Sequence, residues 1–205
     1  MNTQTHVLLG AAIFGRKAPA VAWAGAAGGI IPDLPMYFIV ATLRALGYSL
    51  SDIFDRLYWS DWWQIANAVG HNFWLWGGLA VGSGLLLRKR AYRGAITLTS
   101  PPFVFALSAS ALLHSAIDMA LHRDDAHMHF WPISEWRFRS PISYWDPAYY
   151  GSWASLLEAA VGIAAAIVIF RRYSSRLVRA AVLVAMLLYF AVPAFFVLSL
   201  AHHQP

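Results

Sequence analysis

His114-Ser115-Ala116-Ile117-Asp118-Met119-Ala120-Leu121-His122-Arg123-Asp124-Asp125-Ala126-His127-Met128-His129 begins inside an apolar run, Phe103–Leu121, that is long enough to lie in a bilayer. The stretch holds four of the chain's eight histidines and three of its ten acidic residues. An ionisable residue at membrane depth is costly and by default marks function. His114 and Asp118 are four apart, so on a helix they share one face, one turn from each other. Imidazole beside carboxylate suits a divalent metal, because both bind as bases and the carboxylate offsets the ion's charge. The stretch therefore reads as a membrane-embedded metal site of catalytic kind.

The rest of the chain supports the membrane setting. Of its 205 residues 59% are hydrophobic and 12% charged, half the charge of an ordinary soluble domain. Four further segments approach membrane length: Ala20–Ala45, Gly70–Leu87, Trp153–Phe170 and Ala180–Ala201. Spanning the hydrocarbon takes roughly 20 residues. Trp and Tyr cluster at the segment edges (Trp59, Trp62, Trp63, Trp131, Trp145, Tyr150), as an interfacial belt would. The chain therefore reads as one all-α, polytopic membrane domain over residues 1–205, with about five spanning helices. A short first helix, about Thr5–Phe14, is too short to cross and forms a hairpin with the second. Ser49–Gln64 reads as an amphipathic helix on the outer interface. No charged n-region precedes a cleavage site, so no removable signal peptide is expected. Cysteine is absent, which excludes thiolate ligands.

The net charge of +5 raises the question of nucleic acid, but its distribution answers it. Ten of fifteen basic residues fall in three short loops without acids: Arg16–Lys17, Arg88–Arg93 and Arg171–Arg179. The connections at 44–69 and 122–152 hold five basic residues and seven acids. The positive-inside rule sends the three basic loops to the cytoplasm, which predicts a bacterial inner-membrane protein and no nucleic-acid partner. The partners expected are membrane lipids and a lipid or lipid-linked substrate.

With that topology, His6, Asp33, His71, His114, Asp118 and Glu158, six ionisable residues of five helices, all fall in the outer half of the membrane. The run His122, Asp125, His127, His129 lies just above them. Convergence at one depth is what a single site requires. Pro32-Asp33-Leu34-Pro35 reads either as a helix broken to present a ligand or as a helix end with the acid in a turn. The glycines at 24–29 and at 77, 78, 82 and 84 permit close helix packing. The 122–129 cluster supplies ligands or is a solvated charged loop, and His202 and His203 read as a free tail. The segments around Trp131 and Trp145 either clamp the loop over the site or belong to the aromatic belt. Asp146 is a candidate to orient a ligating histidine.

Thr5-His6-x-x-x-Gly10, then Pro32-Asp33, then His114-x-x-x-Asp118 followed by Trp131-Pro132-Ile133-Ser134 resemble, in order and spacing over residues 3–147, the YdjM-like membrane-bound metal-dependent hydrolases. That family is itself similar to the zinc-dependent phospholipase C and nuclease P1 group, where His-x-x-x-Asp helices supply zinc ligands. The resemblance implies a helical metallohydrolase using zinc. Two positions depart from the pattern: Pro35 stands where a second acid is usual, and Ala66 where a histidine precedes Gly70-His71-Asn72. On this reading His114, Asp118, Asp33 and His6 form the metal bed, completed by His71 or by His122, His127 and His129. Glu158 or Asp125 acts as general base or proton shuttle. The competing classes are a metal-ion or proton transporter, which shares chains of Asp, Glu and His, and a haem-binding membrane protein using paired histidines.

Overall fold

The computed structural model describes residues 1–15, 18–89 and 95–201, and among them every regular element is helical. Arg16, Lys17, Arg90, Arg93, His202 and His203, which the loop and tail readings invoke, lie outside the described residues. The first two helices, α1 (Thr3–Phe14) and α2 (Pro19–Ile30), form the expected hairpin. Proline opens α2, where its missing N–H is not needed. Gly10 and Gly25 meet where the two helices cross, and a Cβ on either would strike the other's carbonyl. Glycine here permits backbone contact that no larger residue allows.

Two prolines then open the backbone pattern. The chain makes a 3-10 turn at Ile31–Asp33 and continues as α3 (Leu34–Ala45), so the long apolar segment is broken at its acid. The expected interfacial helix over Ser49–Gln64 is replaced by shorter pieces: a π turn at Asp52–Arg56, a 3-10 turn at Leu57–Trp59, and α4 (Asp61–Gly70). Ser60 is the reason, because its extended backbone (φ −71°, ψ 146°) ends one piece and starts the next. Ile53, Tyr58 and Trp63 bury themselves against Met36, Ile39, Val40 and Leu43 of α3.

After a turn at His71, α5 (Phe73–Lys89) packs on α6 (Pro101–Leu121), followed by α7 (Gly151–Arg172) and α8 (Arg176–Ala201). Packing gives the lateral order α5, α6, α2, α1, α7, α8. Pro19–Ala45, Pro101–Leu121 and Gly151–Arg172 are long and apolar enough to cross a membrane. Three of the five expected spans meet that measure among the described residues, and α5, at 17 residues, is shorter than the roughly 20 a span needs. The α5 glycines correct another expectation. Gly77, Gly78 and Gly82 have open space where a side chain would stand, and Gly84 alone of the four lies against a neighbour, Phe105.

The bundle has two unlike ends. At one, Arg172 Nη1 donates to the Ala12 carbonyl (2.7 Å) and the Tyr173 hydroxyl to that of Gly15. Phe14 and Ala18 share a cluster there with Ile96 and Phe103, so the flanks of the three basic loops gather together. At the other end the Phe73 N–H donates to the His129 carbonyl (2.9 Å) and the Tyr144 N–H to that of Leu121 (2.9 Å). The 122–150 segment therefore covers the start of α5 and the end of α6.

Candidate metal centre

Asp118 sits at the middle of this covered end, 2% exposed, with a different set of partners on each oxygen. Oδ2 lies 2.9 Å from His114 Nε2 and 3.4 Å from His71 Nε2. Oδ1 lies 3.0 Å from His6 Nε2, 3.7 Å from His122 Nε2 and 2.9 Å from the Met1 amino nitrogen. Asp33 Oδ1 completes the first set, 3.5 Å from His114 Nε2 and 3.6 Å from His71 Nε2.

Each of these side chains is placed by a local cause. α6 presents His114 and Asp118 one turn apart on its buried face. The 3-10 turn between the two prolines swings Asp33 inward, where Thr3 Oγ1 donates to its second oxygen (2.5 Å). His71 caps the end of α4. Close packing of Gly29 against the backbone of His6 and Val7 sets the height of His6.

The imidazole protons are decided by what the other ring nitrogen touches. His114 Nδ1 lies 2.8 Å from the Gly29 carbonyl, and His71 Nδ1 3.0 Å from that of Asn67. A carbonyl only accepts, so each Nδ1 carries a hydrogen, and each Nε2 meets the carboxylates either with its lone pair on a metal ion or as the second N–H of an imidazolium. Both Nε2 atoms are buried without a hydrogen-bond partner, although carboxylate oxygens stand within 2.9–3.6 Å of them. A cation, whether a proton or a metal ion, has to lie between each Nε2 and the carboxylates it faces. One ligand atom from each of Asp33, His71, His114 and Asp118 falls within 4.8 Å of the other three, and the imidazole–carboxylate separations of 2.9–3.6 Å are ones that bonds of about 2.0–2.2 Å to a common ion can span. Metal-binding histidines usually donate their second N–H to a carbonyl or carboxylate, as these do. This buried cluster can hold a metal ion.

The expected bed was His6, Asp33, His114 and Asp118; the four that share a point are Asp33, His71, His114 and Asp118. His6 instead hydrogen-bonds Asp118 through Nε2 (3.0 Å) and stacks on the His114 ring (3.6 Å between centroids). A second group, Asp118, His122 and His127, meets the same spacing. Asp125 orients this group, its Oδ2 lying 2.9 Å from His122 Nδ1 and accepting from Trp145 Nε1 (3.3 Å). Burial pushes the Asp125 carboxyl up, but the hydrogen bond and charge of His122, together with a backbone hydrogen bond and that from Trp145, outweigh it and hold the pKa below the usual carboxylate range. An ionised acid in that position orients a ligand and is poorly suited to general-acid work. Burial drives the His127 imidazole well below its ordinary pKa and that of His129 to about 4, so both stay neutral, the form that binds metal. His129 donates through Nδ1 to the His71 carbonyl (3.1 Å) and stacks on Phe73, which leaves it bordering the two groups.

Two other expected residues take different posts. Asp146 accepts from the Ala148 N–H (2.8 Å) and caps a 3-10 turn, so its carboxylate is used locally and the orienting role falls to Asp125. Glu158 is buried on α7, where Oε1 accepts from the Asn2 N–H (2.8 Å) and Thr5 Oγ1 (2.7 Å) while Oε2 has no partner. It holds the start of α1, the helix that carries His6. Both candidate clamp segments are tied to the bundle: Asn72 Nδ2 donates to the Trp131 carbonyl, and the Tyr144 N–H to that of Leu121 (2.9 Å). Arg137 ties the loop down by donating to Gln64 Oε1 (2.7 Å) and the Ala126 carbonyl (2.6 Å). Sequence reasoning missed Thr3, Thr5, Tyr37 and the Met1 amino group as site neighbours. The one signal was the polar start Asn2-Thr3-Gln4-Thr5 on an otherwise apolar helix.

The sequence matches no protein-family model, and neither a curated protein nor a solved structure is similar to it in the comparisons made.

Proposed function

We propose that the chain is a membrane-embedded, divalent-metal-dependent hydrolase acting on an ester or phosphoester of a lipid or lipid-linked substrate. The observation that carries this reading is the buried convergence of His71 Nε2 and His114 Nε2 with the Asp33 and Asp118 carboxylates on one point. Zinc is the ion proposed, from the nitrogen-and-carboxylate donor set and the motif resemblance to YdjM-like hydrolases. Such an ion, when bound with an open position, lowers the pKa of water and polarises the scissile group. The chain's own residues hold and orient. Asp33 and Asp118 supply the negative charge, and the Asn67 and Gly29 carbonyls fix the His71 and His114 tautomers. Glu158, with Oε2 free, is proposed as the proton carrier. The loop tied down by Arg137 excludes water from above.

The membrane placement proposed is an inner membrane crossed about five times, with the basic loops in the cytoplasm and the metal centre toward the periplasmic side. Exposed Trp59, Trp62, Trp136 and Trp145 support an interfacial setting at the site end. A transporter would need polar groups along the rest of the bundle. The cluster between α1, α7 and α8 is instead built of Leu8, Ala11, Ala12, Ala165, Ala166, Ile169, Val182 and Ala185. The test is elemental analysis of detergent-purified protein beside hydrolysis of a panel of lipid esters and phosphoesters. Bound divalent metal and metal-dependent cleavage are expected; protein with no divalent metal above background refutes the reading.

A further inference from the structure

Asp33 divides its carboxylate between two tasks. Oδ1 faces His71 Nε2 (3.6 Å) and His114 Nε2 (3.5 Å), while Oδ2 accepts from Thr3 Oγ1 (2.5 Å). A threonine hydroxyl has one hydrogen, and an ionised carboxylate only accepts. The Thr3 hydrogen therefore goes to Asp33, and the Tyr37 hydroxyl, 2.6 Å from Thr3 Oγ1, donates into Thr3 in turn. The chain from Tyr37 through Thr3 to Asp33 has a single direction, and each bond strengthens the next. Thr3 opens α1, yet its hydroxyl reaches an acid 30 positions on. We infer that Thr3, backed by Tyr37, is a positioning residue that limits Asp33 to one oxygen toward the ion and so keeps a coordination position open. This deepens the hydrolase reading and rests on it, because a centre that activates water needs such a position.

The need for such a residue follows from the ligand count. Asp33, His71, His114 and Asp118 together supply the four ligands of a tetrahedral ion. Water can join them only while each carboxylate gives the ion one oxygen. Asp118 meets that condition because Oδ2 faces His114 and His71 while Oδ1 lies 3.0 Å from His6 Nε2. On Asp33 the same task falls to Thr3. Without the Thr3 hydroxyl, Oδ2 loses that donor, and turning onto the ion restores a partner at the expense of the open position. The Asp33 side is also where an incoming ligand reaches the centre. Its side chain is 12% exposed, against 0–2% for those of His71, His114 and Asp118. Tyr37, one helical turn beyond Asp33 and 45% exposed, stands at that edge.

The experiment loads detergent-purified full-length protein with Co²⁺ and titrates it with azide, a small ligand that displaces water from an open position. Elemental analysis gives the bound Co²⁺, and its visible absorption bands report azide binding. The wild type should bind Co²⁺ and respond to azide. Thr3→Val keeps the shape of the side chain and removes the hydroxyl. Its Co²⁺ content should match the wild type, with azide affinity about 10–100-fold weaker, the scale on which outer hydrogen-bond partners act at metal sites. Thr3→Ser restores the hydroxyl and should restore azide affinity, a rescue that a purely structural role of the threonine methyl would not give. Tyr37→Phe should show a smaller loss in the same direction. Wild-type azide affinity in both Thr3→Val and Tyr37→Phe overturns the inference and leaves the metal centre standing. So does a Thr3→Ser protein as weak as Thr3→Val, or Co²⁺ lost from Thr3→Val and retained in Thr3→Ser, which would make Thr3 a residue required for holding the ion. A wild type that binds Co²⁺ without any azide response has a closed centre, which overturns the open position itself. No bound Co²⁺ in the wild type overturns the metal centre and the hydrolase reading together.

Discussion

α1 carries two kinds of interior on one helix. Its first two turns place Thr5 and His6 against Glu158 and Asp118, and its later turns place Leu8, Ala11 and Ala12 against Ala165, Ala166 and Ile169. α7 divides the same way, with Glu158 near one end and Ala165, Ala166 and Ile169 toward the other. The apolar half is held by small side chains in van der Waals contact, where any residue of similar shape serves nearly as well. In the polar half most groups depend on a particular partner, because a buried unpaired donor or charge is expensive where no water can replace it. Substitutions in the two halves should therefore fail differently: in the polar half by losing metal, in the apolar half by losing only stability.

The largest effect should come from Asp118→Asn. The amide keeps the volume of the carboxylate but not the charge that offsets the ion, and Asp118 is the residue common to both ligand groups. Bound metal and hydrolysis are expected to fall together to background, measured by elemental analysis and substrate turnover on the same preparation. Retention of wild-type metal would place the ion elsewhere.

How far the polar half is legible in sequence follows from that dependence. His6, Asp33, His71, His114 and Asp118 stand out because ionisable residues in apolar segments are few, and depth counting brings them to one level. Which of the two histidines outside α6 shares the point is not legible. His71 joins Asp33, His114 and Asp118 where His6 does not, because the α4–α5 turn and not a helix face sets its direction. Thr3 reaches Asp33 across 30 positions, a pairing created by the α1–α2 crossing alone. Glycines teach the same lesson from the apolar side. Those at 25, 28 and 29 touch a neighbouring backbone and those at 77, 78 and 82 touch nothing, although both runs look alike as sequence. The fold class is visible in composition, and the break at Pro32–Pro35 in proline chemistry. The split at Ser60 was not, because an amphipathic pattern runs unbroken across it.

Glu158→Gln should give the next largest effect and separates chemistry from binding. The amide oxygen can still accept from the Asn2 N–H and Thr5 Oγ1, so the start of α1 stays in place. What is lost is the proton-carrying capacity of the free Oε2. Metal content should be retained, with turnover reduced about 10²–10⁴-fold, the usual scale for general acid–base help. Equal losses of metal and turnover would make Glu158 a positioning residue for α1 instead.

Acid should act on the polar half as well. The folded loop holds His129 neutral down to about pH 4 by burial, and His127 lower still, whereas in the unfolded chain both take up protons near 6.5. Between those values the unfolded state binds more protons, so metal-free protein should lose stability as pH falls from 6.5 toward 4, and His127 should extend the loss below 4. Protection of the 122–129 amides from hydrogen exchange, followed across that window, checks it. Flat protection would mean that these rings are solvated in the native loop.

The smallest effect expected is that of Ile169→Val, and it tests the other side of the comparison. Ile169 is 2% exposed in the cluster with Leu8, Ala11 and Val182, and its removed methyl meets only carbon. Deleting one buried methyl from such a core typically destabilises by about 0.5–1.5 kcal/mol, the spread reflecting how well neighbours close the gap. Thermal unfolding in detergent should register a drop of that size, while metal stoichiometry and turnover below the transition stay at wild-type values. Ile169 and the metal ligands share no partner, and effects at separate sites usually add. Combining Ile169→Val with Glu158→Gln should therefore reproduce the stability loss of the first and the turnover loss of the second, unchanged in size. A turnover loss larger than that of Glu158→Gln alone would show that α7 transmits packing at its apolar end to Glu158, and that the two halves are not independent.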